Sequence, residues 1–207
     1  MKKKRLINWL CLSGIVSIVF YLLHDIIGSM HYPNYNWLSQ AVSDLTATDA
    51  PSFAIASGLA TVYKIFNCLC CTLLCILIKD ERKKSLKFGI YIFSIMNFIS
   101  AIGYALFPLS SAGYDGSFQS IIHIYIITTL VVILSIVSLI LMAIGFFKEN
   151  YKILGFLAIF SLILMFIGAI GSGIVPREYF GVIERFSTYS AVIYTGILGI
   201  YGFKKID

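Results

Sequence analysis

Charged residues are scarce in this 207-residue chain, at 13% of the total, about half the share usual in a soluble domain. That shortage excludes water as the main solvent. Stretches of roughly 20 apolar residues, each able to cross a hydrocarbon core of about 30 Å, recur along the whole length. No soluble domain fits between them. A small-x-small cleavage site is also missing after the first apolar run, so the basic start at Lys2, Lys3, Lys4 and Arg5 reads as the flank of a retained helix rather than a signal peptide. There is no H-E-x-x-H, no G-x-S-x-G and no phosphate-binding G-x-x-x-x-G-K-[ST] motif, which removes the commonest catalytic patterns. Four of the five cysteines fall between Asn67 and Cys75. They have no matching second cluster of Cys or His, so they read as small packing residues rather than metal ligands.

The formal charge of +6 does not point to nucleic acid. Of the 16 Lys and Arg, 13 lie in the N-terminal tail, between Lys79 and Lys87, at Lys148 and Lys152, or after Phe203. These are alternate connections between apolar runs, and basic residues favour the cytoplasmic side of a membrane. Both termini are therefore expected in the cytoplasm, with Arg177 and Arg185 outside and Lys64 inside a helix. The expected fold is all-α, a single domain over residues 1–207. It is an integral bundle of six transmembrane helices in the cell membrane. The helices are drawn from Leu6 to Gly28, Phe53 to Ile78, Phe88 to Phe107, Phe118 to Phe147, Ile153 to Val175 and Gly181 to Phe203.

The connection from Ser29 to Ser52 is longer than a turn between antiparallel helices needs. Trp37, Leu38, Ala41, Val42 and Leu45 fall on one helical face, with Ser39, Gln40, Ser43 and Asp44 on the other and Asn36 placed as a cap. A short amphipathic helix at the outer surface is expected. Asp49 and Pro51 look like the capped first turn of the next helix. Ser57, Thr61, Lys64, Cys68, Cys71 and Cys75 form a stripe expected to face the bundle interior. In the fifth helix Gly168, Ala169, Ser172 and Gly173 would let another backbone come close.

The polar residues are one-sided. Asp25, Asp44, Asp49, Asp115, Glu178 and Glu184 all fall at the outer ends or in outer loops. So do the three histidines, His24, His31 and His123, the last sharing a face with Gln119 and Ser120. Lys64 lies about 15 Å below the outer end of its helix at 1.5 Å per residue, where a charge is costly unless partnered or hydrated. Asn67, Asn97 and Asp25 are its candidate partners.

Three short stretches add to this: Ser43-Asp44-Leu45, Phe107-Pro108 with His123, and Gly181-Val182-Ile183-Glu184-Arg185. In their order and spacing the chain resembles a family of bacterial six-helix membrane proteins catalogued as domain of unknown function 998. The resemblance spans nearly the whole length and implies a fold and a set of positions, not an activity. His24 and His31 are not part of its pattern.

Three readings of the outer constellation stay open. Arg185 pairs with Asp44 or Glu184 and clamps the surface helix over the bundle. Alternatively, a polar vestibule roofed by Tyr35 and Trp37, and running in past Ser43, Asp44, Gln119, His123, Glu184 and Arg185 to Asp25, Lys64 and Asn97, binds or moves a membrane lipid or small polar solute. The third is an enzyme acting on a lipid, with His123 as base and Asp44 or Glu184 as its orienting acid, or with His24, His31 and His123 on a metal. No cofactor is called for by any motif.

Overall fold

A computed structural model describes residues 4–205, so Lys2 and Lys3 of the basic N-terminal run lie outside the described residues. The described chain is all-helical, 77% helix with no strands. After a single turn, α1 (Leu6–Leu10), come α2 (Ser13–Met30), α3 (Phe53–Leu77) and α4 (Lys84–Leu106). A four-residue α5 (Phe118–Ile121) runs through a π-helical turn (Ile122–Thr128) into α6 (Thr129–Lys148), followed by α7 (Lys152–Gly171) and α8 (Phe180–Lys204). The first expected helix is therefore two pieces, broken at Cys11 and Leu12.

Chain neighbours pack as spatial neighbours: α2 on α3, α3 on α4, α4 on α6, α6 on α7 and α7 on α8, and α8 closes the ring on α2. The closure depends on small residues. A Cβ on Gly199 would sit 2.6 Å from the Cys11 carbonyl oxygen, and one on Gly14 would sit 2.8 Å from that of Thr195. Gly168 brings α7 against the Ser187 backbone in the same way, so the glycine expected to admit a neighbour does so. Phe93, Leu139, Met142, Phe146 and Tyr194 fill the centre.

Among the described residues, five stretches are long and apolar enough to cross a membrane: Leu6–Met30, Phe53–Leu77, Lys84–Leu106, Phe118–Lys148 and Lys152–Gly171. The 25-residue α8 does not reach the same apolarity. Its buried residues explain why: Arg185, Ser190, Thr195, Gly196, Gly199 and Gly202 meet protein, and a helix surrounded by its neighbours needs fewer apolar side chains than one facing lipid.

The ring has two chemically different ends. One gathers the start of α1, the end of α8, the basic turn at 79–83 and the turn at 149–151 that Lys148 and Lys152 flank; the other gathers the long segment 31–52 and the connections 107–117 and 172–179. The latter, the acidic end, carries the candidate site.

Candidate functional site

The segment expected to form an amphipathic helix does not form one. Residues 37–40 are a turn, and a 3-10 helix follows at Val42–Thr46. The reason lies in where its carbonyls go. Those of Trp37 and Gln40, which an α-helix would hydrogen-bond to the amides four residues on, accept from Arg185 Nη1 at 3.1 and 3.0 Å. The stranded amide of Ala41 donates to Asp44 Oδ2 at 3.1 Å instead. Asp44, assigned by periodicity to the wet face, is accordingly buried, while Trp37 and Leu38, assigned to the dry one, are exposed.

Arg185 is the centre of this end and is 2% exposed. It is not paired with Asp44 or Glu184. Its Nε and Nη2 grip Asp25 bidentately at 2.9 and 2.8 Å, the fork geometry that suits a guanidinium to a carboxylate. Nη1 also donates to the Gly181 carbonyl and Nη2 to the Tyr35 hydroxyl, both at 2.9 Å. All five N–H groups are used. The Trp37 ring covers the guanidinium at 4.3 Å and its Nε1 donates to Asp25, which also accepts from Tyr189.

Further ties hold the segment down. Asp44 Oδ1 accepts from the Gly113 amide at 2.9 Å, and Thr48 bonds to Leu109 and Ser110. Burial pushes the Asp44 carboxyl up from its ordinary range, against the pull of the Gly113 and Ala41 amides. Val182 N donates to the Leu38 carbonyl at 3.2 Å, and Gly181 leaves no room for a Cβ against the Gln40 carbonyl. Ser43, by contrast, contributes only its carbonyl, to Thr46. Asp49 caps nothing: α3 starts after Ser52, whose hydroxyl donates to Leu45.

The histidines do not converge. His24 rests on the Ala56 carbonyl, His31 on that of Ile27 in its own helix, and His123 on that of Phe107 at 2.7 Å. Among the described residues no three His, Cys, Asp or Glu are grouped as metal ligands would be, His24, His31 and His123 included, and all five cysteines are free thiols. No carboxylate hydrogen-bonds to His123 among the described residues, so the His–Asp or His–Glu pair of the enzyme reading is not assembled. Its ring lies 4.6 Å from that of Tyr104, and the π-helical turn places its carbonyl under the Thr128 hydroxyl. Gln119 turns away, to Ser110.

Lys64 has no ion pair and no hydrogen bond among the described residues. Its expected partners are engaged elsewhere, Asp25 with Arg185 and Asn67 with Asn97, the two amides being 2.6 Å apart. The stripe expected to face the interior divides: Cys71 is buried, whereas Ser57, Lys64, Cys68 and Cys75 are half-buried and Thr61 is exposed. Ser57 and Thr61 are turned back onto their own helix carbonyls, while Ala56, Ala60, Asn67 and Cys71 face inward. Lys64 lies within electrostatic reach of His24 and His123. Glu184 likewise has no cation in ion-pair contact among the described residues; it accepts only from the Val42 amide at 3.3 Å and is half-buried. On α2, α3 and α8 lie tyrosines that sequence reasoning passed over. Tyr21 meets Tyr63 edge-on at 4.9 Å and Tyr189 at 5.6 Å, and both Tyr63 and Tyr104 keep accessible surface. Tyr21 and Tyr189 each fall one helical turn from a charged candidate, Asp25 and Arg185, and Tyr63 adjoins Lys64, which was the signal in the sequence.

Fold and site together define a multi-pass membrane-type helical protein whose acidic end is fastened by a buried arginine. The chain belongs to the family described as "Protein of unknown function (DUF998)", whose pattern matches residues 15–201. The Asp44, Phe107, His123 and Gly181–Arg185 stretches that carried the resemblance meet at that one end. No curated protein and no solved structure matches the chain.

Proposed function

We propose that the protein crosses the cell membrane six times with both termini in the cytoplasm, and that its acidic end binds or moves an amphiphile or small polar solute entering from the outer leaflet. The observation that carries this reading is a mismatch of charges. Arg185 and Asp25 satisfy each other, whereas Glu184 and Lys64 sit on contacting helices with no counter-ion in contact among the described residues. Uncompensated charges at membrane depth are expensive and are retained where something else satisfies them. The tyrosines on the same helices, Tyr63 and Tyr189, and Tyr21 between their rings offer hydroxyls and apolar rings together, which suits a molecule with a polar head and an apolar body. Outside, six acidic residues face two basic ones, so a cationic or zwitterionic head is favoured over a strongly anionic one.

Native mass spectrometry of the protein extracted in mild detergent tests this. A retained amphiphile is expected in the wild type and is lost in the Glu184→Gln and Lys64→Met variants. Equal retention in both variants would refute the site. A second reading, in which the cluster only fastens the outer segment, is favoured by the full use of the Arg185 donors. Under that reading neither variant changes what co-purifies.

A further inference from the structure

At the opposite end, a cavity of about 560 Å³ lies between the start of α1, the end of α3, the turn after it and the end of α8. Its size is within the roughly 300–1,000 Å³ of ligand sites. Ile7, Ile76 and Leu77 provide an apolar floor, and Arg5, Lys79, Arg82 and Lys205 provide cations around it against Asp80 and Glu81. The walls are tied together. Asn8 Nδ2 donates to the carbonyls of Gly202 and Lys205 at 2.9 and 2.6 Å, which locks α1 to the end of α8. Lys205 Nζ reaches Glu81 Oε2 at 2.8 Å and pins the turn after α3 to the same point. Burial works against the Glu81 charge, but the Lys205 hydrogen bond and charge, together with the Lys83 and Arg82 amides, hold the carboxyl below its ordinary range. Glu81 is thus occupied, whereas Lys79 and Asp80 are wide open and 4.0 Å apart, a contact of little worth.

From this geometry we infer that the cavity at the terminal end is a binding site for the phosphate headgroup of an anionic phospholipid. The cationic rim matches a phosphodiester, and basic pockets between helices are the usual seat of anionic heads. The apolar floor matches the glycerol ester and first methylenes, which a free phosphate lacks. Trp9 and Phe203, edge-on at 4.9 Å with Lys4 Nζ over the Phe203 ring, place the same end at headgroup level. This site is separate from the acidic end and does not depend on it.

The test is native mass spectrometry of the full chain with added phosphatidylglycerol, phosphatidylcholine or inorganic phosphate. Phosphatidylglycerol should be retained in preference to phosphatidylcholine, with excess inorganic phosphate failing to displace it. Each cation near a membrane surface is worth roughly fivefold in binding, so Lys79→Gln with Arg82→Gln should weaken retention roughly 25-fold. Glu81→Gln removes the cavity's engaged anion and should strengthen it, a gain that a merely damaged fold would not give. Equal retention of phosphatidylcholine, displacement by inorganic phosphate, or an unchanged double variant would overturn the assignment.

Discussion

Arg185 shows what a single side chain does here that another cation could not. Its five donors serve a carboxylate, three backbone carbonyls and a phenol at once, whereas a lysine has three donors on one atom and no fork. Arg185→Lys should therefore lower thermal stability in detergent, and Arg185→Ala should cost about 3–5 kcal/mol because it strands a buried Asp25. Replacing both partners together, Asp25→Leu with Arg185→Met, should recover part of that loss. Two unaltered melting curves for the single variants would deny the clamp. That Arg185 needed an outer carboxylate was readable from hydropathy and depth. Which carboxylate was not, because Asp25, Asp44 and Glu184 share nearly one depth, and the choice depends on how α2 and α8 are rotated about their axes.

Among the elements, the long apolar runs were legible because 3.6-residue periodicity and length report on helices directly. The 31–52 segment was misread because its periodicity is real but its carbonyls are claimed from α8, 145 and 148 residues away in sequence, a competition that no local pattern records. The π-helical turn at Ile122–Thr128 is equally silent, since one extra residue per turn leaves the apolar composition unchanged. Close helix contacts sit between these cases. A Cβ at Gly145 in α6 would stand 2.5 Å from the Leu86 backbone of α4, whereas one at Gly58 in α3 meets nothing within 4 Å. Gly145→Ala should then lower the melting temperature by several degrees, as expected for a loss of about 1–3 kcal/mol from overpacking. Gly58→Ala, which adds helix propensity without a clash, should leave it unchanged or slightly raised. Equal effects at the two positions would mean that α4 and α6 are not in the contact described.

For the whole molecule, the separation of a basic end from an acidic one fixes the orientation to be tested. In a chain whose five cysteines are replaced, Asn34→Cys should be labelled in intact cells by an impermeant thiol reagent and Ser85→Cys should not. Labelling of position 85 alone would invert the topology and, with it, the leaflet assigned to each site. The sidedness itself was plain in the sequence, because Lys and Arg occupy alternate connections. The division of labour among the outer charges was not: Asp25 and Arg185 cancel, whereas Glu184 and, deeper, Lys64 make no ion pair among the described residues.

The two peptide carbonyls held by Arg185 have a kinetic consequence. Residues 37–40 cannot relax into a helix while the guanidinium occupies their acceptors, and the Ala41 and Asp44 bonds that replace them exist only in that state. The 31–52 segment should thus come away as one cooperative unit rather than fray, so that its amides exchange hydrogen at a common rate set by the breaking of one ion pair.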